Sequence, residues 1–318
     1  TISIGQNMTS LNYSLARALA KKFNSGDEVI ITELDHEANR GPWRVLKEAG
    51  VKLIEVRLLQ DGGLDYEDFR NKINDKTVMV CMGMSSNALG TLNDFISVKS
   101  FLPQNCLFLL DAVHYAPHFS INVKELGCDF LLCSAYKFYG PHVGFLYSKP
   151  GLLEQLETDR LVVQDQKAPY IIETGTLNHA ACAGVSSAID FIANIGDGNS
   201  SRDKLINAFS KISSHEFALA KELYESINNL DKVNVVGKDF SDTKRTPTVS
   251  FVHSDFTPQE ICKALASENI CAWDGHFYAL KAIQQLGLEE SGGVTRLGIS
   301  IYNTKEEVER VASVISKL

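Results

Sequence analysis

Short apolar runs alternate with longer amphipathic segments along the first half of the chain. The short runs predict strands, because they are too short for buried helices and are rich in branched side chains. Their bounds are Ile2–Ile4, Glu28–Thr32, Lys52–Arg57, Val78–Met82, Leu107–Leu110, Phe130–Cys133 and Gly144–Tyr147. Helices are predicted over Thr9–Phe23 and Gly41–Ala49. This alternation is typical of an α/β fold, in which helices cover both faces of a mainly parallel sheet.

The second half of the chain begins with a polar, glycine-rich stretch over residues 195–201, IGDGNSS, which predicts a linker. A long polar helix is predicted next, over Arg202–Asn229. Further strands are predicted at Val233–Val236, Thr248–His253 and Thr295–Tyr302, and helices at Pro258–Glu268 and Lys305–Lys317. We therefore predict a large domain over residues 1–195 and a smaller C-terminal α+β domain over residues 196–318.

Composition limits the possible partners. The 318 residues are 44% hydrophobic and carry a net charge of −8, without a basic cluster, which argues against nucleic acid and acidic membranes as partners. No apolar stretch is long enough to span a bilayer. Seven scattered cysteines without a CxxC pair indicate neither a disulfide framework nor a metal site, and they favour a reducing, cytoplasmic location. Because the chain starts at Thr1, the question of a removed targeting segment stays open.

Two polar residues stand at the ends of neighbouring predicted strands. Asp111 follows the apolar run 106–110, and Lys137 follows the run 130–133, 26 residues after Asp111. Parallel neighbouring strands would bring both to the sheet edge where open α/β sheets bind ligands. An amine and an acid there suit pyridoxal phosphate (PLP). The lysine forms a Schiff base with its aldehyde, and the acid keeps its ring nitrogen protonated. A solvent-exposed lysine and a helix-capping aspartate explain the same spacing, and on spacing alone this simpler interpretation is favoured.

Other strand-to-helix junctions carry weaker signals. Residues 5–10, GQNMTS, precede the first predicted helix, where free backbone N–H groups can hold a phosphate. Helix capping by Asn7 or Thr9 would explain the same residues. His36 follows the second strand, where a lone histidine is more often structural, and Asn87 lies in a segment that also fits a simple turn.

Taken together, these motifs resemble the class V aminotransferase superfamily of fold-type I PLP enzymes, in its cysteine desulfurase-like branch. The resemblance rests on LDHEAN (34–39), SSNALGT (85–91), DAVH (111–114), SAYKFYG (134–140), ETGT (173–176) and VTRLGISIYN (294–303), and it covers nearly the whole chain. It implies a mainly parallel, seven-stranded type of sheet, a smaller C-terminal α+β domain, PLP as cofactor, an amino acid substrate and a homodimer.

The resemblance also implies roles around the cofactor ring. Lys137 matches the Schiff-base lysine, and Asp111 matches the partner of the pyridinium nitrogen. His36 matches the histidine stacked on the ring. Asn87 matches an asparagine near the ring hydroxyl and the substrate, and His114 stands where many members have glutamine.

Further roles implied by the resemblance concern the phosphate and the substrate carboxylate. The phosphate cup would include Asn7, Met8, Ser134 and Tyr136. Asn7 and Met8 replace a threonine pair, so backbone donors would replace at least one hydroxyl, and Tyr136 replaces a more usual histidine. Thr176 would reach the phosphate of the partner subunit. Arg296 matches the arginine that grips the substrate carboxylate with a planar fork of donors.

Two departures from the family pattern change the expected chemistry. Cysteine desulfurases carry a persulfide-forming cysteine after a Gly-His pair, whereas Gly275-His276 is followed by Phe277 and then Tyr278 at that position. The nearest cysteine, Cys271, lies seven residues upstream of Tyr278, so we do not expect an enzyme persulfide. Family members also have residues before the motif at Gly5, so the chain is expected to be a fragment or to have a more open site.

Three hypotheses follow from the sequence. The first is a PLP-dependent carbon–sulfur lyase, the second an aminotransferase or amino acid epimerase, and the third a non-catalytic relative. In the first two, the Lys137 amine takes the Cα proton of a substrate held by Arg296. Tyr278 protonates a leaving group or the opposite face, or it simply packs in the space of the lost cysteine. Docking of a sulfur acceptor protein stays open.

Overall fold

A computed structural model describes residues 1–241 and 245–318 of the chain. Its strands are β1 (Ile2–Gly5), β2 (Glu28–Thr32), β3 (Lys52–Val56), β4 (Thr77–Gly83), β5 (Leu107–Asp111), β6 (Phe130–Ser134), β7 (Gly144–Ser148), β8 (Val233–Val236), β9 (Thr248–His253), β10 (Trp273–Gly275) and β11 (Val294–Gly298). Its α-helices are α1 (Met8–Ala20), α2 (Tyr66–Lys72), α3 (Phe95–Ser100), α4 (Val123–Leu126), α5 (His179–Ala193), α6 (Ser201–Asn228), α7 (Pro258–Ser267), α8 (Leu280–Gln285) and α9 (Lys305–Ile315).

The first seven strands form one sheet in the order β1-β7-β6-β5-β4-β2-β3. Strands β2 to β6 run parallel to their neighbours within that set, whereas β7 is antiparallel to both β6 and β1. The register pairs Gly83 of β4 with Asp111 of β5, and Asp111 with Leu132 of β6. The predicted mainly parallel sheet is confirmed, and its central strands end side by side.

Apolar side chains cover both faces of this sheet. One face buries Phe69, Phe108 and their neighbours, and the other buries Trp43 and the apolar stripe of α1. That stripe consists of Leu11, Leu15 and Leu19, which are at most 3% exposed and recur at helical spacing. Since each fully buried leucine contributes about 1.5–3 kcal/mol, burial on both faces holds the strand ends in place.

The later strands form a second, antiparallel sheet in the order β10-β11-β9-β8. Helices α6, α7 and α9 pack on it around Phe251, and each begins with a capping box, such as Ser200 with Asp203. The segment around α8 instead packs into the core of the first sheet through Ala282 and Ile283. A domain boundary between residues 195 and 196 stays a prediction.

Several predicted elements differ from the structure at their ends. The strand predicted over Thr295–Tyr302 stops at Gly298, because the chain then turns and Ser300 N–H donates to Asn303 Oδ1 (2.8 Å). The helix predicted over Thr9–Phe23 is α1, which ends at Ala20, and the helix predicted over Gly41–Ala49 is a 3₁₀ helix over Pro42–Ala49.

Helix α5 was not predicted, because its small, evenly apolar residues lack a clear polar face. The loop between α5 and α6 coincides with the predicted linker. Within the described part of the chain, no helix is both long enough and apolar enough to cross a membrane.

Candidate active site

A cleft of about 1330 Å³ lies at the carboxyl ends of the parallel strands. It brings together all but one of the predicted site residues, namely Asn7, Met8, His36, Asn87, Asp111, His114, Ser134, Tyr136, Lys137, Tyr278 and Arg296. Thr176 lies apart from them, in a neighbouring cavity of about 620 Å³. The two cavities share three lining residues, Asn7, Ser10 and His142.

Asp111 forms part of the cleft floor at the end of β5. Its side chain is 8% exposed, and its Oδ1 accepts a hydrogen bond from Val113 N–H (2.9 Å). Burial raises the pKa of Asp111 to about 7; the nearby charge of Asp35 also raises it, while Lys137 opposes the shift. The local hydrogen bond fits the simpler, capping interpretation, but the side chain also faces the cleft and can receive a cationic partner there.

Lys137 lies in a 3₁₀ turn, Ala135–Phe138, directly after β6. Its Nζ is 5.2 Å from the ring centroid of Tyr136 and accepts or donates no hydrogen bond within the described residues. Desolvation by the cleft walls lowers the pKa of the Lys137 amine and the Arg296 charge lowers it further, whereas Asp111 raises it. The amine is therefore closer to its neutral, nucleophilic form than a surface lysine is.

Two histidines in the cleft are held neutral. Burial, followed by the charges of Lys137 and Arg296, lowers the pKa of His36 to about 4, and its Nδ1 accepts from Ala38 N–H (3.0 Å). The proton of neutral His36 is therefore on Nε2. Burial also lowers the pKa of His114 well below its usual value, and its Nε2 lies 3.1 Å from the Thr248 hydroxyl of β9.

The start of helix α1 forms one end of the cleft. Asn7 caps the helix by accepting from Ser10 N–H (2.9 Å), and Met8 N–H donates to Ser134 Oγ (3.0 Å). Thr9 N–H has no acceptor in the described residues. Met8 N–H is thus already engaged, but the Ser134 hydroxyl keeps its own proton to donate. Strand β7 also approaches the helix start closely at Gly144. A Cβ at this position would overlap the backbone of Asn7, so the approach requires glycine.

Arg296 reaches the cleft from β11 of the second sheet. Its Nη1 donates to the carbonyl oxygen of Asn87 (2.8 Å), and its guanidinium carbon lies 4.0 Å from the ring centroid of Phe277. Burial lowers the pKa of Arg296 to about 10, so it is cationic near neutral pH. The Asn87 side chain donates to the Phe277 carbonyl (2.7 Å), whereas its buried Oδ1 has no hydrogen-bond partner among the described residues.

A strained loop over residues 275–278, here named the roof loop, covers Arg296. Gly275 has φ 113°, and Phe277 and Tyr278 have φ 51° and 59°, in the left-handed region that side chains rarely adopt. The Tyr278 carbonyl accepts from Glu37 N–H (2.7 Å), and its ring lies 5.5 Å from that of His36. Tyr278 is 68% exposed, so its hydroxyl is free to contact a bound molecule.

A sequence model described as aminotransferase class-V matches residues 5–311. The chain belongs to the class-V aminotransferase family. A probable cysteine desulfurase of Halalkalibacterium halodurans is 30% identical to this class-V aminotransferase family member, over 97% of this chain and 75% of its own length. An aminotransferase-like protein of Gibberella zeae is 32% identical, over 98% of this chain and 76% of its own length.

Solved structures support the same family. The apo structure of a cysteine desulfurase from Thermococcus onnurineus superposes on this chain with a TM-score of 0.87 and 26% identity, covering 99% of this chain and 78% of that one. The cysteine desulfurase CsdA of Escherichia coli, at 22% identity and a TM-score of 0.86, shares the fold. The predicted fold class, an α/β fold of fold-type I, is confirmed.

The class-V aminotransferase family consists of PLP-dependent enzymes, and the cleft of this member fits that cofactor. At one end, a buried carboxylate at Asp111 matches a cationic ring nitrogen. At the other end, the Ser134 hydroxyl and Thr9 N–H remain available to a phosphate. The buried Oδ1 of Asn87, which also lines the cleft, has no partner among the described residues and can accept a hydrogen bond from a bound molecule.

Two residues in the cleft were missed from the sequence. Asp35 is 4% exposed and accepts from Gly83 N–H (2.9 Å) and from the Asn39 side chain (3.0 Å). A polar residue at the end of a buried strand, just before His36, was the available signal. His142 stacks on the Tyr136 ring at 4.8 Å, and no local pattern links these two residues.

Proposed function

We propose that this enzyme is a PLP-dependent carbon–sulfur lyase that acts on a cysteine-type amino acid and releases sulfur without an enzyme persulfide. One observation carries the proposal: the cleft brings Lys137, Asp111 and Arg296 together, yet no cysteine lines it. All seven cysteines lie within the described residues, and the one nearest in sequence to Tyr278, Cys271, is exposed outside the cleft.

The residues at the cleft floor would hold the cofactor. Lys137 would attach it, Asp111 would face its ring nitrogen, and His36 would lie against its ring. Its phosphate would contact Ser134 and the start of α1. PLP, when bound, withdraws electron density from the substrate Cα and so acidifies the Cα proton.

Each remaining step is assigned to a side chain of this protein. Arg296 keeps Nε and Nη2 available for the substrate carboxylate, since only its Nη1 donates a hydrogen bond to another described residue, the Asn87 carbonyl. Phe277 packs against the face of the guanidinium and fixes its plane. The Lys137 amine, with its lowered pKa, takes the proton from the substrate Cα.

Tyr278 is the proposed proton donor to the leaving sulfur. Its exposure and its position beside the His36 ring support this role over simple filling of the space of a lost cysteine. Two carbonyl groups of the roof loop accept hydrogen bonds, one from Glu37 N–H and one from the Asn87 side chain, which favours a fixed proton donor over a mobile sulfur carrier. A hydroxyl cannot accept sulfur, so the sulfur leaves as a free thiol or sulfide.

A second candidate function is amino group transfer or epimerisation. The Gibberella zeae relative is named aminotransferase-like, and the absent cysteine removes the group that a desulfurase would need. Both reactions start with the same proton abstraction by Lys137. They differ from the lyase reaction in where the proton or the amino group goes afterwards.

Visible absorption of the purified protein with added PLP, before and after L-cysteine, tests the proposal. We expect a band that shifts with cysteine and is absent from Lys137→Ala. Pyruvate with ammonia and sulfide as products would support the lyase. A keto acid with pyridoxamine phosphate would instead support transfer, and a racemised substrate would support epimerisation. No band in the wild-type protein would support the third hypothesis, a non-catalytic relative.

We further propose a cytoplasmic homodimer. The support for the dimer is the position of Thr176, which lies in the second cavity rather than in the cleft of its own chain. Leu161, Val162 and Val163, on the segment before Thr176, are 66%, 97% and 92% exposed, as apolar residues of an interface would be in one subunit alone. A sulfur acceptor protein is not required, because released sulfide needs no carrier.

A further inference from the structure

The phosphate end of the cleft has no obvious cation. A phosphate monoester carries about two negative charges near pH 7. The only Lys or Arg side chains among the described residues of the two cavities are Lys137 and Arg296. The proposed function commits Lys137 to the cofactor aldehyde and Arg296 to the substrate carboxylate. The phosphate would therefore meet only neutral donors, unless a histidine contributes.

His142 is the one ionisable side chain at the junction of the two cavities. The residues that line both cavities are Asn7, Ser10 and His142. A phosphate held by Ser134 and the start of α1 would lie near this junction, because Asn7 and Ser10 of that helix start line it together with His142. Its position thus puts an imidazole where a charged donor is lacking.

The surrounding structure holds His142 in this position. Its ring is stacked on Tyr136, with centroids 4.8 Å apart and planes 14° apart. The next residue, Val143, is 3% exposed, and its carbonyl accepts from Ala135 N–H (2.8 Å) in the turn that carries Lys137. The imidazole is therefore positioned relative to Lys137 although it is exposed to the cavities.

We propose that His142 binds the cofactor phosphate and supplies the imidazole that Tyr136 does not. This inference rests on the proposed function, because it assumes that PLP occupies the cleft. The resemblance implies that Tyr136 takes the place of a histidine of the phosphate cup, and His142 supplies an imidazole beside it by stacking on that tyrosine. The change at one position is thus compensated at the other.

Equilibrium binding of PLP and of pyridoxal, which lacks the phosphate, tests the inference. For His142→Ala, we expect the affinity for PLP to fall about tenfold or more, as for the loss of a charge-assisted hydrogen bond. The affinity for pyridoxal should be unchanged. His179→Ala is the matched control, because His179 is an exposed histidine outside both cavities and should alter neither affinity.

Restoring the histidine at the other position sharpens the test. Adding Tyr136→His to His142→Ala should recover most of the affinity for PLP. Equal loss of PLP and pyridoxal binding, or no loss of either, would overturn the role of His142 and leave the proposed function standing. A wild-type protein that binds neither compound would overturn both.

Discussion

The floor and the roof of the cleft are built in different ways. The floor consists of strand ends, where Asp111 and Lys137 follow buried strands that pair in register. The roof loop is an irregular segment in which two consecutive residues, Phe277 and Tyr278, have a left-handed backbone conformation. It is anchored by single hydrogen bonds. By the resemblance, the proposed cofactor-binding residues belong to the floor and the proposed departure from the family pattern belongs to the roof loop. We therefore propose that the shared chemistry belongs to the rigid sheet and the reaction outcome to the loop.

The two regions also hold unfavourable free energy in different forms. The floor buries two carboxylates. Their burial raises the pKa of Asp111 to about 7 and that of Asp35 to about 6. The roof loop instead holds backbone strain of about 1–2 kcal/mol for each left-handed residue other than glycine. Such costs are typical of functional sites, where the rest of the fold compensates for them.

The largest effect is expected from Asp111→Asn at the floor. Activity should fall about a hundredfold or more, because the ring nitrogen would lose its anionic partner. Steady-state rates with the PLP-loaded enzyme measure this. Asp129→Asn is the control: Asp129 is a buried carboxylate of the same sheet, but it precedes β6 at the opposite end and should leave the rate unchanged. An equal loss in both variants would mean that the effect is structural.

Asp111→Asn should also stabilise the apo protein against unfolding, by roughly 1–3 kcal/mol at pH 8. The folded pKa of Asp111 is raised above its ordinary 3.8 to about 7, so ionisation disfavours the folded state as pH rises through that window. The gain from Asp111→Asn should therefore be largest above pH 7 and shrink toward pH 4. Thermal unfolding at pH 5 and pH 8 measures it, and a gain that grows toward low pH would contradict the sign.

An intermediate effect is expected from Tyr278→Phe in the roof loop. If the hydroxyl donates a proton to the leaving sulfur, kcat should fall about tenfold to a hundredfold with KM nearly unchanged. The ring and its contact with His36 are kept. Tyr302→Phe is the control, since Tyr302 is 73% exposed and lies outside the cleft. An unchanged kcat in Tyr278→Phe would leave the tyrosine with a packing role only.

The smallest effect is expected from Cys271→Ser. Cys271 is exposed outside the cleft, so sulfide release should stay within about twofold of the wild type, as for other surface substitutions. Sulfide production with L-cysteine measures this directly. A complete loss would show that Cys271 carries sulfur after all, and the contrast between a catalytic floor and a fixed, thiol-free roof would have to be abandoned.

Much of the floor could be predicted from the sequence. The strand before Asp111 and the strand before Lys137 are apolar runs with sharp ends, and parallel neighbours necessarily end at the same edge. The limits of Thr295–Tyr302 and the existence of α5 could not be predicted. A turn closed by the Asn303 side chain ends the strand at the start of Thr295–Tyr302. Helix α5 has no clear polar face, so its sequence shows no helical periodicity of polar and apolar residues.

The sequence by itself determined the alternation of strands and helices and the two residues at the strand ends. Only the tertiary structure decided that Phe277 packs against Arg296, that Asp35 approaches Asp111, and that His142 stacks on Tyr136. The physical reason is range. Hydrophobic periodicity is a local property that each segment carries alone, whereas these contacts arise from packing between distant segments, which no local pattern encodes.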